Sequence, residues 1–458
     1  MKVGWNAFAV AIAGVMALLL SMPAAHGADI DALVETVEAK VVEWRRDIHQ
    51  HPELGNREFR TAALVAEHLQ DLGLEVRTGI AHTGVVGILR GGQPGPRIAL
   101  RADMDALPVT EQVDLPFASR VTTEFRGQQT GVMHACGHDA HVAILMGVAE
   151  ALAGIKEQLT GEVMFIFQPA EEGPPEGEEG GAELMLKEGL FTDFMPDAVF
   201  GLHVVAGIPS DVIAVRPGPF MAAADSFRIV VKGRQTHGSR PWSGVDPIVV
   251  AADIVSTAQT LVSRRSDLTR APVVVSFGAI KGGIRQNIIP DEVELIGTIR
   301  TFEQDMRDDI FNGLREIAEH VAAAHGATVE LDVPWMSGYP VTHNDAELTS
   351  AMHAALQRAA RGKVIEIPPI TGAEDFSYYG KYAPALFFFV GATPPDQDME
   401  AAAINHSPLF YLDEAALPLG TRALLEVALE YLATGAGAVG AAVRPVRSVP
   451  ERSFVVID

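Results

Sequence analysis

The chain has 458 residues, 48% of them hydrophobic and 21% charged. That is the composition of a globular protein, and the length exceeds what one core usually sustains, so two domains are expected. The formal net charge of −24, from 35 Lys+Arg against 59 Asp+Glu, argues against a nucleic-acid partner, which needs a basic footprint. With one cysteine, Cys136, no internal disulfide can form.

Residues 1–28 read as a secretory signal. Lys2 precedes the apolar run Ala7–Leu20, and Pro23 and small residues lead to a cleavage site near Gly27 or Ala28. The run is too short for a typical spanning helix. The mature protein is therefore expected to be exported, periplasmic or secreted, with no membrane contact after cleavage. A free Cys136 in an oxidising compartment needs an occupant, and a bound metal would supply one.

Ile30, Leu33, Val34, Val37, Val41, Trp44 and Ile48 recur at helical spacing, which predicts an amphipathic helix over 30–48. The loop HPELGNRE leads to a second helix at 60–72. Strands and helices then alternate, with a strand at 98–101, a helix at 140–153 and strands at 163–168 and 198–203. Each strand hands over to a polar cluster at its C-terminal end, where open α/β sheets bind ligands.

After Arg216-Pro-Gly-Pro the pattern shifts. Strands at 226–232, 273–280 and 292–301, with helices at 245–264 and 305–325, read as an α+β module. The expected fold is α/β. A catalytic domain of 29–215 and 332–433, with a mixed, mostly parallel sheet flanked by helices, carries the inserted module 216–331. Its second part holds a helix at 345–361, a strand at 386–390 and a helix at 413–433. The Gly/Ala/Pro-rich residues 434–458 read as a flexible tail.

Two stretches carry chemistry. HACGHDAH, at 134–141, places three histidines, an aspartate and the sole cysteine within eight residues. QPAEEG, at 168–173, sets Glu171 and Glu172 just past a strongly apolar strand. Cys136 and His138, two residues apart in a turn, can face one ion or two neighbouring ones. Glu172 and His203 follow or end strands, and His406 precedes Ser407-Pro408. Taken singly, His203 or His406 is more often a satisfied core or surface histidine; taken together, with three sites at strand ends, the ligand reading is much stronger. A thiolate, imidazoles and a carboxylate suit Zn, Mn, Co or Ni better than Mg or Ca. Five ligands would serve two ions about 3.5–4 Å apart. Asp103 and Asp105 could orient ligand histidines from behind, or be solvated loop carboxylates. Of two adjacent glutamates, one can bind metal while the other takes a proton from water and passes it to a leaving nitrogen. Glu176, Glu178 and Glu179 read as solvated.

WRRDIHQHPELG, RADMDALPV, HACGHDAH, QPAEEG, GLHV, HGSRPW, NIIPDEVELIGTIR, GAEDFS and NHSP follow one another over residues 40–430. In this order they resemble the dinuclear metal amidohydrolase branch of the aminoacylase/metallocarboxypeptidase superfamily. That branch includes hippurate hydrolases, N-acyl-L-amino-acid amidohydrolases and plant auxin-amino-acid conjugate hydrolases.

The resemblance implies two divalent metal ions per chain, Mn or Zn foremost, with Co or Ni as alternatives. Cys136 matches the thiolate position that replaces a bridging Asp of the wider superfamily. His138, Glu172, His203 and His406 match the other ligands, and Glu171 matches the general base. The inserted module resembles a lid or dimerisation domain, which implies a homodimer or higher homo-oligomer. His237 matches a histidine that reaches a neighbouring subunit's site and steadies the oxyanion. Asn287 and Arg300 match contacts to a substrate carboxylate or the scissile carbonyl, and Glu374 and Asp375 match positions that line or support the site. Bulky Arg234 and Gln235 stand where the family has small residues, which bears on substrate fit. The implied reaction cleaves the amide of an N-acyl-amino acid. An exported carboxypeptidase or dipeptidase acting on short peptides would use the same chemistry. A non-catalytic binding protein of this fold would have no need of Glu171.

Overall fold

The computed structural model describes residues 29–435; the expected signal segment and residues 436–458 lie outside the described residues. Helix α1 (Ile30–Gln50) starts where the Asp29 carboxylate accepts from the Ala32 amide, and it buries Val34, Val37, Val41 and Ile48. Full burial of each such side chain is worth about 1.5–3 kcal/mol. Helix α2 (Phe59–Asp71) follows. Strands β1 (Glu75–Ile80), β2 (Gly84–Arg90) and β3 (Gln93–Asp103) begin the main sheet, and a small hairpin, β4 (Thr122–Phe125) and β5 (Gln128–Gly131), lies beyond it. Helix α3 (His138–Gly154) is buried along almost its whole length. Strand β6 (Thr160–Gln168), helix α4 (Gly181–Lys187) and strands β7 (Ala198–Pro209) and β8 (Ile213–Val215) continue the alternation.

Strand β9 (Gly218–Met221) still belongs to the main domain, since Phe220 and Met221 pack in the core of its sheet, so the inserted unit begins after the expected residue 216. That unit contains β10 (Ala223–Lys232), β11 (Thr236–His237), α5 (Pro247–Thr260), β12 (Val274–Lys281), β13 (Ile288–Ile289), β14 (Glu292–Thr301), α6 (Gln304–Ala324) and β15 (Thr328–Tyr339). The chain then returns through β16 (Thr342–Asn344), α7 (Ala346–Ala359), β17 (Val364–Glu366), β18 (Ala385–Thr393) and α8 (Ala416–Thr434). Among the described residues, no helix is long and apolar enough to cross a membrane.

The main sheet has eight strands in the order β1-β2-β6-β3-β7-β18-β8-β17. Its centre, β6-β3-β7-β18, is parallel, as is β8-β17, while β1-β2, β2-β6 and β18-β8 are antiparallel. Period-two alternation splits its side chains between two cores. Val163, Phe165 and Phe167 pack under α1, α3, α7 and α8, while Met164 and Ile166 pack on the opposite face with Met185, Phe376 and Phe387. Both faces are covered, as a mostly parallel sheet requires.

The inserted unit folds around a separate core. Its antiparallel sheet, β12-β14-β10-β15, is covered by α5 and α6 through residues such as Ile229, Leu295, Ile254 and Leu314. The fourth strand, β15, was not anticipated, and it runs past residue 331, where the module was expected to end. Thr328-Val329-Glu330-Leu331-Asp332-Val333 does alternate, but Pro334 interrupts the run. Pairing with β10 carries the strand through that interruption. Strands β1, β2, β8 and β17 were also unanticipated; β1 and β17 are largely exposed and carry no apolar run.

Candidate metal centre and active site

The polar clusters gather where β3, β6 and β7 run side by side. Strand β3 pairs with β7 up to Arg101 opposite Gly201, so Asp103 and His203 lie at the same level. His203 was expected to end its strand, yet β7 continues to Pro209 because β18 pairs alongside it through Gly391 and beyond. At the start of α3, Gly137 has φ 96°. A side chain there would be strained, and its Cβ would sit 2.3 Å from Val204 Cγ2. Glycine thus lets the chain turn from Cys136 into the helix that presents His138.

Five side chains converge on one point. Cys136 Sγ lies 3.2 Å from His203 Nε2 and 3.3 Å from His406 Nε2, and His406 Nε2 lies 2.9 Å from Glu172 Oε1. Ligand atoms of Cys136, His138 and His203 lie within 4.8 Å of one another, and so do those of Cys136, Glu172 and His406. The two triads share the sulfur. The ring orientations suit coordination: His138 Nδ1 donates to the Asp105 carbonyl at 2.8 Å, and His203 Nδ1 to the Val204 carbonyl at 2.7 Å. Each Nε2 lone pair is left facing inward. His138 Nε2 is buried and lacks a hydrogen-bond partner.

His141, the third histidine of HACGHDAH, is spent otherwise. Its Nδ1 meets Asp103 Oδ1 at 2.5 Å, and its Nε2 accepts from the Val204 amide at 2.9 Å. Both ring nitrogens are used in orienting the strand end, so His141 offers no lone pair to a metal.

Residues 99–430 match peptidase family M20/M25/M40. The chain belongs to that family. It is 41% identical over 400 residues to thermostable carboxypeptidase 2 of Saccharolobus solfataricus, covering 87% of this chain and 97% of the relative. It is 36% identical to N-acetyl-L-cysteine deacetylase of Bacillus subtilis, covering 87% of this chain and 90% of the relative. Among solved structures it is similar to Bacillus subtilis YXEP protein, a dinuclear metal binding peptidase from the M20 family. The TM-score is 0.71 and the identity 34%, covering 87% of this chain and 99% of that one. This M20 protein is a metal-dependent hydrolase acting on amides or peptides.

In the M20 site, Glu171 belongs to neither sulfur-sharing triad but flanks both, its carboxylate within 4.8 Å of the ligand atoms of His138 and Glu172. Its Oε2 is 3.9 Å from His138 Nε2. The Asp105 carboxylate accepts from two successive amides, Glu171 N at 3.0 Å and Glu172 N at 2.9 Å. One residue therefore orients His138 through its carbonyl and both glutamates through its side chain. Tyr339, at the end of β15, donates to the Glu171 carbonyl at 2.6 Å. Behind these groups Arg101 is fully buried and donates to Asp103, Glu374, Asp375 and Gln168 at 2.8–2.9 Å. Glu374 thus belongs to the supporting layer and lies near Asp103 and Glu171.

The field of the site favours cations. Burial opposes charge on His138, but the carboxylates of Asp103 and Asp105 outweigh it and push its pKa up to about 10. Burial, and then the charges of Glu172 and Glu171, hold the Cys136 thiol well above its ordinary value. Burial likewise raises Glu171 well above the carboxylate range, helped by Glu374 and Glu172. Positive charge at the site favours the ionised thiol and carboxylate, and bound divalent ions would provide it. The donor set, sulfur and nitrogen with a carboxylate, fits such ions.

The other anticipated residues lie elsewhere. His237 and Asn287 are exposed on the β11–β13 ribbon; His237 Nδ1 accepts from Ser239, and the Asn287 carbonyl accepts from the Gly238 amide at 2.8 Å. Arg300, on β14, donates to Thr298 and the Ile299 carbonyl. Their polar partners are all on the inserted unit. Several supporting residues went unassigned in the sequence. Asn405 donates to the carbonyls of Cys136 and Val204, each at 3.0 Å, and pins the His406 turn against them. Arg45 donates to Asp139 at 2.8 Å, and His49 lies 2.9 Å from the same oxygen, which anchors the first turn of α3 to α1. Asn405 was visible only as part of NHSP, and Arg45 as part of WRRDIH.

Proposed function

We propose that the protein hydrolyses the amide bond of N-acyl-amino acids. The observation that carries the reading is Glu171, a buried carboxylate beside two donor triads that share one sulfur, with its backbone held by Asp105. Cys136, His138 and His203 would hold one divalent ion, and Cys136, Glu172 and His406 a second, Mn or Zn foremost. Bound there, such ions polarise a carbonyl and make water more acidic. Glu171 takes the proton of the attacking water. The oxygen adds to the acyl carbon, the carbon–nitrogen bond breaks, and Glu171 delivers the proton to the leaving amine. Products are a carboxylate and a free amino acid.

The inserted unit serves in this reading as a lid and dimerisation module. His237 enters the site of a second copy and donates to the oxyanion, and Asn287 and Arg300 meet the substrate's polar groups. Residues 1–28 direct export, which N-terminal sequencing of the protein from the periplasm or medium would test.

A second reading, cleavage of short peptides, is favoured by the 41% identity to thermostable carboxypeptidase 2. An amine-release assay separates the two. It uses N-acetyl-, N-benzoyl- and N-indoleacetyl-amino acids and a set of dipeptides, on metal-stripped protein and after Mn or Zn is restored. Metal-dependent release from acyl-amino acids alone supports the first reading. Release from dipeptides alone replaces it with the second.

A further inference from the structure

The loop HPELGNRE is packed against the catalytic turn, and its two glutamates do different work. Glu58 precedes the first residue of α2, where a side chain normally caps the helix, yet it makes no cap bond. Glu53 does that instead, accepting from the Arg60 and Thr61 amides at 2.9 Å each. Glu58 is turned inward and is wholly buried. One carboxyl oxygen accepts from the Ala170 amide at 2.8 Å, and the other meets the Thr83 hydroxyl at 2.5 Å.

Ala170 has φ 50°, in the left-handed region that an alanine adopts only under constraint. It is the residue immediately before Glu171. Three consecutive amides, of Ala170, Glu171 and Glu172, are thus held by two carboxyl groups, Glu58 and Asp105. Gly55 closes over the same turn, and a Cβ there would lie 2.9 Å from the Gly173 carbonyl and 3.1 Å from Ala170 Cβ.

We propose that Glu58 is a positioning residue for hydrolysis: by binding the Ala170 amide it holds the left-handed turn that aims Glu171 and Glu172. The proposal rests on Glu171 being the base. No cation pairs with Glu58 among the described residues, so its burial gains no ion pair. That is a cost to stability that a purely structural site would shed. Burial, and next the charge of Asp105, push its pKa up to about 8. The neutral carboxyl keeps an oxygen for the amide, and a glutamine can stand in for it.

The test uses the full-length, metal-loaded protein with Glu58→Ala, Glu58→Gln, Ala170→Gly and the double change Glu58→Ala/Ala170→Gly. In Glu58→Ala, kcat at saturating metal should fall on the order of 10²-fold while KM stays close to wild type, and metal loading should weaken because Glu172 shares the turn. Glu58→Gln should retain most of the turnover. Glycine adopts positive φ without strain, so Ala170→Gly should restore part of the loss in the double variant and change little alone. Unchanged kcat in Glu58→Ala, or no rescue by Ala170→Gly, overturns the proposal, as does damage in Glu58→Gln equal to that in Glu58→Ala.

A second readout needs no activity. In metal-free protein, amide exchange over residues 168–174 should accelerate in Glu58→Ala and stay slow in Glu58→Gln; equal protection in both overturns the proposal. Should Glu58→Ala not fold, Glu58→Asp, one methylene shorter, withdraws the carboxyl from Ala170 and carries the same comparison. Wild type that is inactive on every substrate above would sink the functional reading instead, and the exchange result would still judge Glu58.

Discussion

The end of the main sheet and the tip of the inserted unit are built on opposite principles. At the sheet end nearly every polar group is buried and held: His138 and His203 by backbone carbonyls, both glutamates by Asp105, and Asp103 by Arg101. At the tip His237 is exposed and its ring is held, among the described residues, by the neighbouring Ser239, with Trp242 79% and Ile284 96% exposed nearby. The first region is preorganised within one chain, as electrostatic catalysis requires. The second leaves aromatic and aliphatic side chains exposed to solvent.

Glu171→Gln gives the sharpest test of the first half of that contrast. Turnover should drop by about 10²–10⁴-fold while metal analysis still finds the ions bound. Strong residual activity would remove Glu171 from the mechanism. For the tip, His237→Ala should lower kcat by about 10²–10³-fold. Mixed oligomers of Glu171→Gln and His237→Ala chains should regain activity, because one intact site can then assemble across the interface. If mixing restores nothing, the sites are complete within single chains and the contrast fails.

Asp105→Ala probes the clamp beneath His138 and the two glutamates. Loss of a group that orients ligands usually costs about 10–100-fold in metal affinity or activity. Titration with Mn or Zn should show weaker loading, and tight loading would mean that His138 and the glutamates orient themselves. Further back, Arg45→Leu leaves Asp139 buried without its guanidinium. Breaking such a pair costs about 3–5 kcal/mol, to be read from urea unfolding.

The smallest effect is one of pH. Burial opposes charge on Asp139, but Arg45 and His49 outweigh it and hold its carboxyl well below the usual range. The stabilisation is therefore whole above the unfolded-state value of about 3.9 and is lost as pH falls from there toward the folded value. Wild type should lose stability below about pH 4, and Asp139→Asn should flatten that limb. Parallel limbs would show that Asp139 contributes nothing to acid unfolding.

Much of the site could be read without coordinates because its chemistry is written locally. HACGHDAH and QPAEEG name four of the site residues, Cys136, His138, Glu171 and Glu172, and period-two and helical spacing place them at strand ends and a helix start. Periodicity gave most of the long buried strands and helices, but it missed the buried β2, the exposed edge strands, and β15, where pairing rather than pattern makes the strand. It could not say that His141 is fully occupied by Asp103 and Val204, since a histidine's free lone pair depends on what both nitrogens touch. Nor could it join Glu58 to Ala170 across 112 positions, or Arg101 to Asp375 across 274.

The sequence alone determined the residue types able to bind metal and move a proton, the elements that carry them and the family they belong to. Those follow from side-chain chemistry and from backbone period, which are properties of neighbouring residues. The tertiary structure alone decided which lone pairs face inward, which carboxylates bind ligands and which hold backbone, and which residues one chain leaves outside its own site. Those depend on burial and on contacts between distant segments, which exist only once the sheet has closed over them.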